Sequence, residues 1–357
     1  MGDAAGVGPE LCLNLLARRD LPSNVVPLII GDADVLKRVA RELKLTLDAP
    51  QLDAPPESLN APAVYDPPGS LAGNAVVPGR NQAICGKAAG RYIEEAVKGC
   101  LAGRFHAMLT APISKKAMSL AGYAFPGHTE MLAHLTHCDN YAMLLYSSTI
   151  ACAFVTTHQS LRSVPDALTQ RRIVEVGELA SDCVTAIRGA APRLAVLGLN
   201  PHAGEEGLFG DEENRIITPA KAQLESQGLE VEGPLPPDTA FTPAALKRIG
   251  CHIAMYHDQG SIPFKMLAFN SGVNVTMGLP IVRTSPDHGT AFDIAWKGRV
   301  DPDSFVAAFA LAAQLGRHEI RVHPSGLHRL DRDETVPQHT SGRRAAARST
   351  LPAVEKQ

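Results

Sequence analysis

Short apolar runs of strand length alternate along the chain with longer amphipathic stretches. Runs at 25–30, 107–110, 151–156, 194–199, 253–256 and 273–277 read as strands. Stretches at 35–43, 83–102, 129–135, 170–187, 214–227 and 301–315 repeat apolar residues at helical spacing and read as helices. This alternation predicts an α/β protein with a largely parallel sheet, because buried parallel strands appear as continuous apolar runs. No repeat of fixed period is present. Segment 49–79, rich in Pro, Ala and Asp, reads as an irregular excursion. Segment 317–357 has many charges and little apolar periodicity, and reads as a weakly attached tail in which His318, His323 and His328 are solvated.

Polar motifs follow many of the strand-like runs. They are Thr110-Ala111-Pro112, Thr157-His158, Asn200-Pro201-His202 and His257-Asp258-Gln259-Gly260. In open α/β sheets the carboxyl ends of strands line the ligand crevice, so the reactive side chains are expected along one edge.

Composition narrows the function. A chain of 357 residues that is 45% hydrophobic can bury a large core, and with 5% aromatics that core rests on small aliphatic side chains. Thirty-four Lys and Arg against 37 Asp and Glu leave a formal charge of -3, which speaks against nucleic acid as a partner. Seven cysteines with no C-x-x-C pair argue against a disulfide scaffold and a zinc knuckle, and for the reducing cytoplasm. No apolar run approaches the ~18 residues of a membrane span. Gly2-Asp3 directly after Met1 shows no signal-peptide pattern.

Three histidines carry candidate chemistry. His158, His202 and His257 each lie just beyond a strand-like run. Three neutral imidazoles suffice to hold Zn²⁺ or a similar ion and leave a position open for substrate. From spacing alone a histidine at a strand end is more often a structural residue, so both readings stay open. A second group comprises His128 and Thr129 at a helix start, with Lys265, Asn274 and Arg283. Such donors can grip a phosphate, Arg as a planar fork and Lys as a point charge, or can be ordinary surface groups. No G-x-G-x-x-G opens a helix after a strand; Gly6-Val7-Gly8-Pro9-Glu10 is nearest and lacks the third glycine. There is no phosphate-binding G-x-x-x-x-G-K loop and no G-x-S-x-G elbow. Gly204, Gly207 and Gly210 mark a loop of high backbone freedom.

Residues 2–10, Pro126-Gly127-His128-Thr129-Glu130, Asn200-Pro201-His202-Ala203-Gly204-Glu205, Tyr256-His257-Asp258-Gln259-Gly260 and residues 283–291 occur in the order of a known family. The chain resembles the 4-hydroxythreonine-4-phosphate dehydrogenases of pyridoxal phosphate (pyridoxine) biosynthesis, over residues 1 to about 315. Residues 207–213 and 292–296 look most like the branch that oxidises D-threonate or D-erythronate 4-phosphate. The resemblance implies a two-domain α/β/α sandwich of the isocitrate and isopropylmalate dehydrogenase type, with a cleft between domains. It places residues 1–120 plus 280–316 in one domain and 121–279 in the other.

It further implies a homodimer with a shared active site, NAD, and one divalent metal (Zn, Mg or Co) on His158, His202 and His257, the last supplied by the partner subunit. His128, Thr129, Lys265, Asn274 and Arg283 fall on the family's substrate contacts, and residues 276–291 lie near the cofactor. The implied reaction is oxidation of a phosphorylated hydroxy acid with loss of CO₂. Lys265 and Asp238 match active-site positions, Asp238 being equally readable as a turn residue after two prolines. Alternatives are a terephthalate dihydrodiol dehydrogenase type of activity, whose substrate has no phosphate, and a catalytically silent binding paralogue. Ala4 stands where the family has Pro. The strand that precedes the family's first motif has no counterpart here, so exposed sheet edges are expected.

Overall fold

A computed structural model describes residues 1–22, 24–69 and 71–317, with two short strands at Val322–His323 and Gly326–Leu327. The reading of 317–357 as a tail of solvated histidines thus falls almost wholly outside the described residues.

The chain forms two sheets flanked by helices. β1 (Leu28–Ile30), β2 (Gln51–Leu52) and β3 (Ala63–Tyr65) make a small parallel sheet in the order β1-β3-β2. β4 (Met108–Leu109), β5 (Ala142–Tyr146), β6 (Ala151–Phe154), β7 (Leu194–Leu197), β8 (Val231–Leu235), β9 (Cys251–Ala254), β10 (Val273–Met277) and β11 (Arg283–Pro286) make the large one. Its order is β4-β11-β10-β5-β6-β9-β7-β8.

The α/β class is as the sequence predicts, but the large sheet is mixed. β6, β9, β7 and β8 run parallel, whereas the β6–β5, β5–β10 and β10–β11 pairs are antiparallel. The reason is local: β5 and β6 are joined by a tight turn. Its Ser147 hydroxyl accepts from the N–H groups of Thr149 and Ile150, and a connection that short returns the chain antiparallel. Segment 49–79 is less irregular than expected, since β2 and β3 both lie within it.

The helix Gln170–Arg188 shows how the sequence builds the packing. Thr169 caps its start by accepting from the Arg172 N–H, and Gly189 ends it with a left-handed φ of 75°. Ile173, Val176, Ala180, Val184 and Ile187 recur at helical spacing and bury against β6, β9 and β10. Each large aliphatic side chain buried in this way contributes about 1.5–3 kcal/mol.

Separate apolar clusters serve the two sheets. One gathers residues 1–15, 29–40 and 85–92 with Trp296, Phe305 and Phe309; the other gathers the helix 170–188 with β5, β6, β7, β9 and β10. Between the edges of β1 and β4 lies a cavity of about 790 Å³, lined by Val25–Ile30, Arg104–Ala111, Ile93 and Phe309. The outer edges of β1 and β4 line this cavity. The Met1 ammonium is buried beside them and donates to the Ile30 carbonyl at 2.8 Å.

Candidate active site

β6, β9 and β7 are neighbours and run in one direction, so their carboxyl ends open on the same edge. His158 follows β6, Asn200 and His202 follow β7, and His257 begins the helix His257–Ala268 after β9. Gln259 ties two of these ends together. Its Oε1 accepts from the Met255 N–H and its Nε2 donates to the Gly198 carbonyl, both at 2.7 Å.

His158 and His257 meet, with ring centroids 5.8 Å apart, and His257 also stacks on Phe154 at 5.9 Å. Desolvation, then the charge of Lys115, holds the His158 imidazole below its ordinary pKa, which favours the neutral form that a metal needs. The His257 Nδ1 lies 2.6 Å from Asp258 and that of His202 lies 3.0 Å from Glu205. A carboxylate on Nδ1 leaves Nε2 as the free lone pair. These features fit a divalent ion. Within one chain it is thus His202, and not the His257 expected to come from a partner subunit, that stands apart from the other two, and among the described residues no group of three His, Cys, Asp or Glu is gathered.

His202 is presented by an unusual backbone. Residues 202–206 (His202, Ala203, Gly204, Glu205 and Glu206) are all left-handed, with φ between 44° and 83°. Left-handed helical turns cost a non-glycine residue about 1–2 kcal/mol each, so this turn needs external support.

Of the second group, His128 and Arg283 are drawn together in a buried, cation-rich region, and Lys265 stands with Asp287 instead. On β10, Asn274 and Thr276 share a face, opposite Ser285 and Arg283 of β11. Arg283 is 3% exposed. It donates to the Thr110 hydroxyl at 2.7 and 3.2 Å and to the Thr276 hydroxyl at 3.0 Å. Burial pushes its guanidinium down to about 10. His128, which starts the helix His128–Thr136, has a buried Nε2 without a partner, and so has the Oδ1 of Asn274. Desolvation and then the Arg283 charge hold His128 well below its ordinary value. Thr129 follows on the same helix, half-buried.

Lys115 and Glu130 link the two groups. Lys115 depresses both His128 and His158, while Glu130 raises both Arg283 and His158. The sequence marks Thr110 only as a hydroxyl directly after a strand, and Thr276 and Asp287 only as part of the segment expected near the cofactor; it does not mark Lys115.

Lys265 lies on the helix His257–Ala268 and pairs with Asp287 at 3.2 Å. Burial raises the Asp287 carboxyl and the Lys265 charge opposes that rise. In the segment expected near the cofactor, the Nε2 of His288 is buried and unpartnered, an open donor or acceptor suited to a nucleotide. Asp238 is exposed in the turn after β8, where Pro236 accepts from the Thr239 and Ala240 N–H groups.

Most of the chain is similar to known proteins. D-threonate 4-phosphate dehydrogenase of Salmonella typhimurium is 44% identical over 320 residues, covering 88% of this chain and 97% of that protein. 4-Hydroxythreonine-4-phosphate dehydrogenase of Desulforapulum autotrophicum is 42% identical over 316 residues, covering 88% and 93%. The crystal structure of 4-hydroxythreonine-4-phosphate dehydrogenase from Klebsiella pneumoniae superposes with a TM-score of 0.78 at 43% identity, covering 88% and 98%. A terephthalate 1,2-cis-dihydrodiol dehydrogenase from Burkholderia xenovorans gives 0.63 at 30%, covering 88% and 96%. The family model for the pyridoxal phosphate biosynthetic protein PdxA matches residues 23–312, and the chain belongs to that family.

Proposed function

We propose that this protein is an NAD-dependent, divalent-metal-dependent dehydrogenase of the cytoplasm. Its substrate is a 4-phosphorylated four-carbon hydroxy acid, such as 4-hydroxythreonine 4-phosphate, D-threonate 4-phosphate or D-erythronate 4-phosphate, oxidised with loss of CO₂. The observation that carries this reading is Arg283. A buried guanidinium whose hydrogen-bond partners among the described residues are hydroxyls bears a desolvation cost that a phosphoryl dianion would offset. The names of the relatives support the same substrate class. The free state of all seven cysteines accords with a reducing compartment.

In this reading His158, His202 and His257 hold the metal, and residues 276–291 hold NAD. Bound, the ion supplies Lewis acidity toward the alcohol and carbonyl oxygens, and NAD accepts the hydride. The chain's own residues do the rest. Arg283, His128, Thr129 and Asn274 fix the phosphate, and that remote grip orients the reacting carbon. Lys265, held by Asp287, stabilises negative charge that develops on substrate oxygen and can return a proton there. Asp238 is the candidate acceptor for the hydroxyl proton.

The histidine set is completed across a homodimer. Ile262, Met266 and Phe269 are exposed at helical spacing beyond His257, an apolar stripe suited to a second copy. The reading also includes two α/β units on the isocitrate and isopropylmalate dehydrogenase plan, residues 1–120 plus 280–316 and residues 121–279, for which the small sheet's own apolar cluster speaks.

NADH formation on phosphorylated and dephosphorylated hydroxy acids, with and without Zn²⁺, Mg²⁺ or Co²⁺, tests the reading. Arg283→Ala should lower kcat/KM on the phosphorylated substrate by roughly 10- to 100-fold and spare the dephosphorylated one. An equal loss on both would remove the phosphate assignment.

A further inference from the structure

The left-handed turn 202–206 rests on Glu213. This residue opens a π-helical turn, Glu213–Ile217, and is 3% exposed. Its Oε1 accepts from the backbone N–H groups of Leu199 and Asn200, each at 2.7 Å, and its Oε2 accepts from the Asn200 Nδ2 at 2.9 Å. The carboxylate also lies directly beneath the turn. A Cβ on Gly204 would stand 2.7 Å from Oε2, and one on Gly198 would stand 3.3 Å from Oε1 and 2.8 Å from the Ala203 Cα. Asn200, so held, donates in addition to Glu212 at 2.7 Å. Asn200, which leads into the turn through Pro201, is therefore clamped at its backbone and at its side chain by one buried acid.

A carboxylate suits this place because every group facing it is a donor. An amide would accept as well at one oxygen, but would set its NH₂ against the Asn200 NH₂. Two hydrogen bonds to backbone would suffice merely to end β7. The third, together with the absence of room at Gly204, locks the turn itself and hence the direction of His202. π-Turns and runs of left-handed backbone concentrate at functional sites, where surrounding structure over-determines them.

We propose that Glu213 is a positioning residue for metal binding: it holds the left-handed turn so that His202 is aimed at the ion. This inference rests on the proposed metal role of His202. Partners that orient a ligand without touching the metal typically govern affinity by 10–100-fold.

The test is equilibrium binding of Zn²⁺ and Co²⁺ to the full chain by chelator competition, with the Co²⁺ visible spectrum as a second readout. Glu213→Gln should fold, weaken the metal by about 10–100-fold and alter the Co²⁺ spectrum. His202→Ala should weaken it as well, and the double variant should be no worse than His202→Ala alone, because Glu213 acts through His202. Gly204→Ala, which pushes the carboxylate away while leaving it in the chain, should repeat the Glu213→Gln result even if that variant folds poorly. Metal binding by Glu213→Gln and Gly204→Ala equal to the unmodified chain, or strictly additive losses in the double variant, would overturn the inference. An unmodified chain that binds neither ion would instead overturn the metal reading beneath it.

Discussion

The Nζ of Lys265 and the Oδ2 of Asp287 stand 3.2 Å apart, joining the helix His257–Ala268 to the residue that follows β11. The pair is asymmetric, the Asp287 side chain being 18% exposed and that of Lys265 42%. Burial outweighs the lysine, so the carboxyl is raised from its ordinary value. A raised acid contributes stability that is complete below its unfolded pKa and is lost as pH rises through its folded one. At neutral pH the folded chain thus carries Asp287 at a net cost. Asp287→Asn is expected to leave the urea midpoint at pH 7 unchanged or higher, while kcat/KM falls by about 10²-fold as Lys265 loses its fixed position. Parallel urea and NADH assays check this; a loss of stability matching the loss of activity would make the pair purely architectural.

Arg283 sets function against stability in the same way. Its guanidinium is charged in both states at pH 7 but is buried in only one, which is what lowers it to about 10. Arg283→Met keeps much of the volume and removes the buried charge, so the variant should gain about 1–3 kcal/mol in denaturant unfolding. It should also lose its response to anions. Inorganic phosphate at about 100 times its Kd would stabilise the unmodified chain by about 2.7 kcal/mol and leave the variant unmoved. A variant that is less stable and still protected by phosphate would contradict this account.

Much of the site was legible because its residues stand directly after strands whose apolar runs are conspicuous. Ala151–Phe154 and Cys251–Ala254 announce His158 and His257 in this way. β2 and β3 lay hidden in the segment that reads as irregular, and three strands of the large sheet were not legible either. β5 is antiparallel and runs into β6 through a short turn. β8 contains Gly233 and Pro234, which normally argue against a strand, and survives as the sheet's edge. β11 reads Arg-Thr-Ser-Pro and looks like a loop, yet all four residues are buried, because hydroxyls and a guanidinium satisfy one another across β10, β11 and Thr110. Supporting residues such as Thr276, Glu213 and Asp287 stayed hidden for the same reason. They touch groups that are distant in sequence, and although each lies in a segment that the family resemblance picks out, nothing in the sequence marks its individual role.

His128 offers a pH signature of the anion pocket. Its Nε2 is buried, and desolvation, then Arg283, the terminal ammonium and Lys115, all disfavour the imidazolium, so its folded pKa lies well below 6.5. The sign follows from which state takes the proton. Above pH 6.5 neither the folded nor the unfolded chain protonates this ring, and its contribution is complete. As pH falls below 6.5 the unfolded chain gains a proton that the folded chain refuses, and stability drops toward the folded pKa. One such proton is worth at most about 1.4 kcal/mol per pH unit. His128→Gln cannot bind that proton in either state, so its unfolding free energy between pH 6 and pH 5 should fall less steeply by about that amount. Urea unfolding at half-unit pH intervals measures the difference. Phosphate brings negative charge to the same ring, so adding it should raise the His128 pKa and flatten the unmodified chain's decline, while His128→Gln keeps its slope. Identical slopes for the two proteins, without phosphate, would mean that the ring is hydrated and the pocket open.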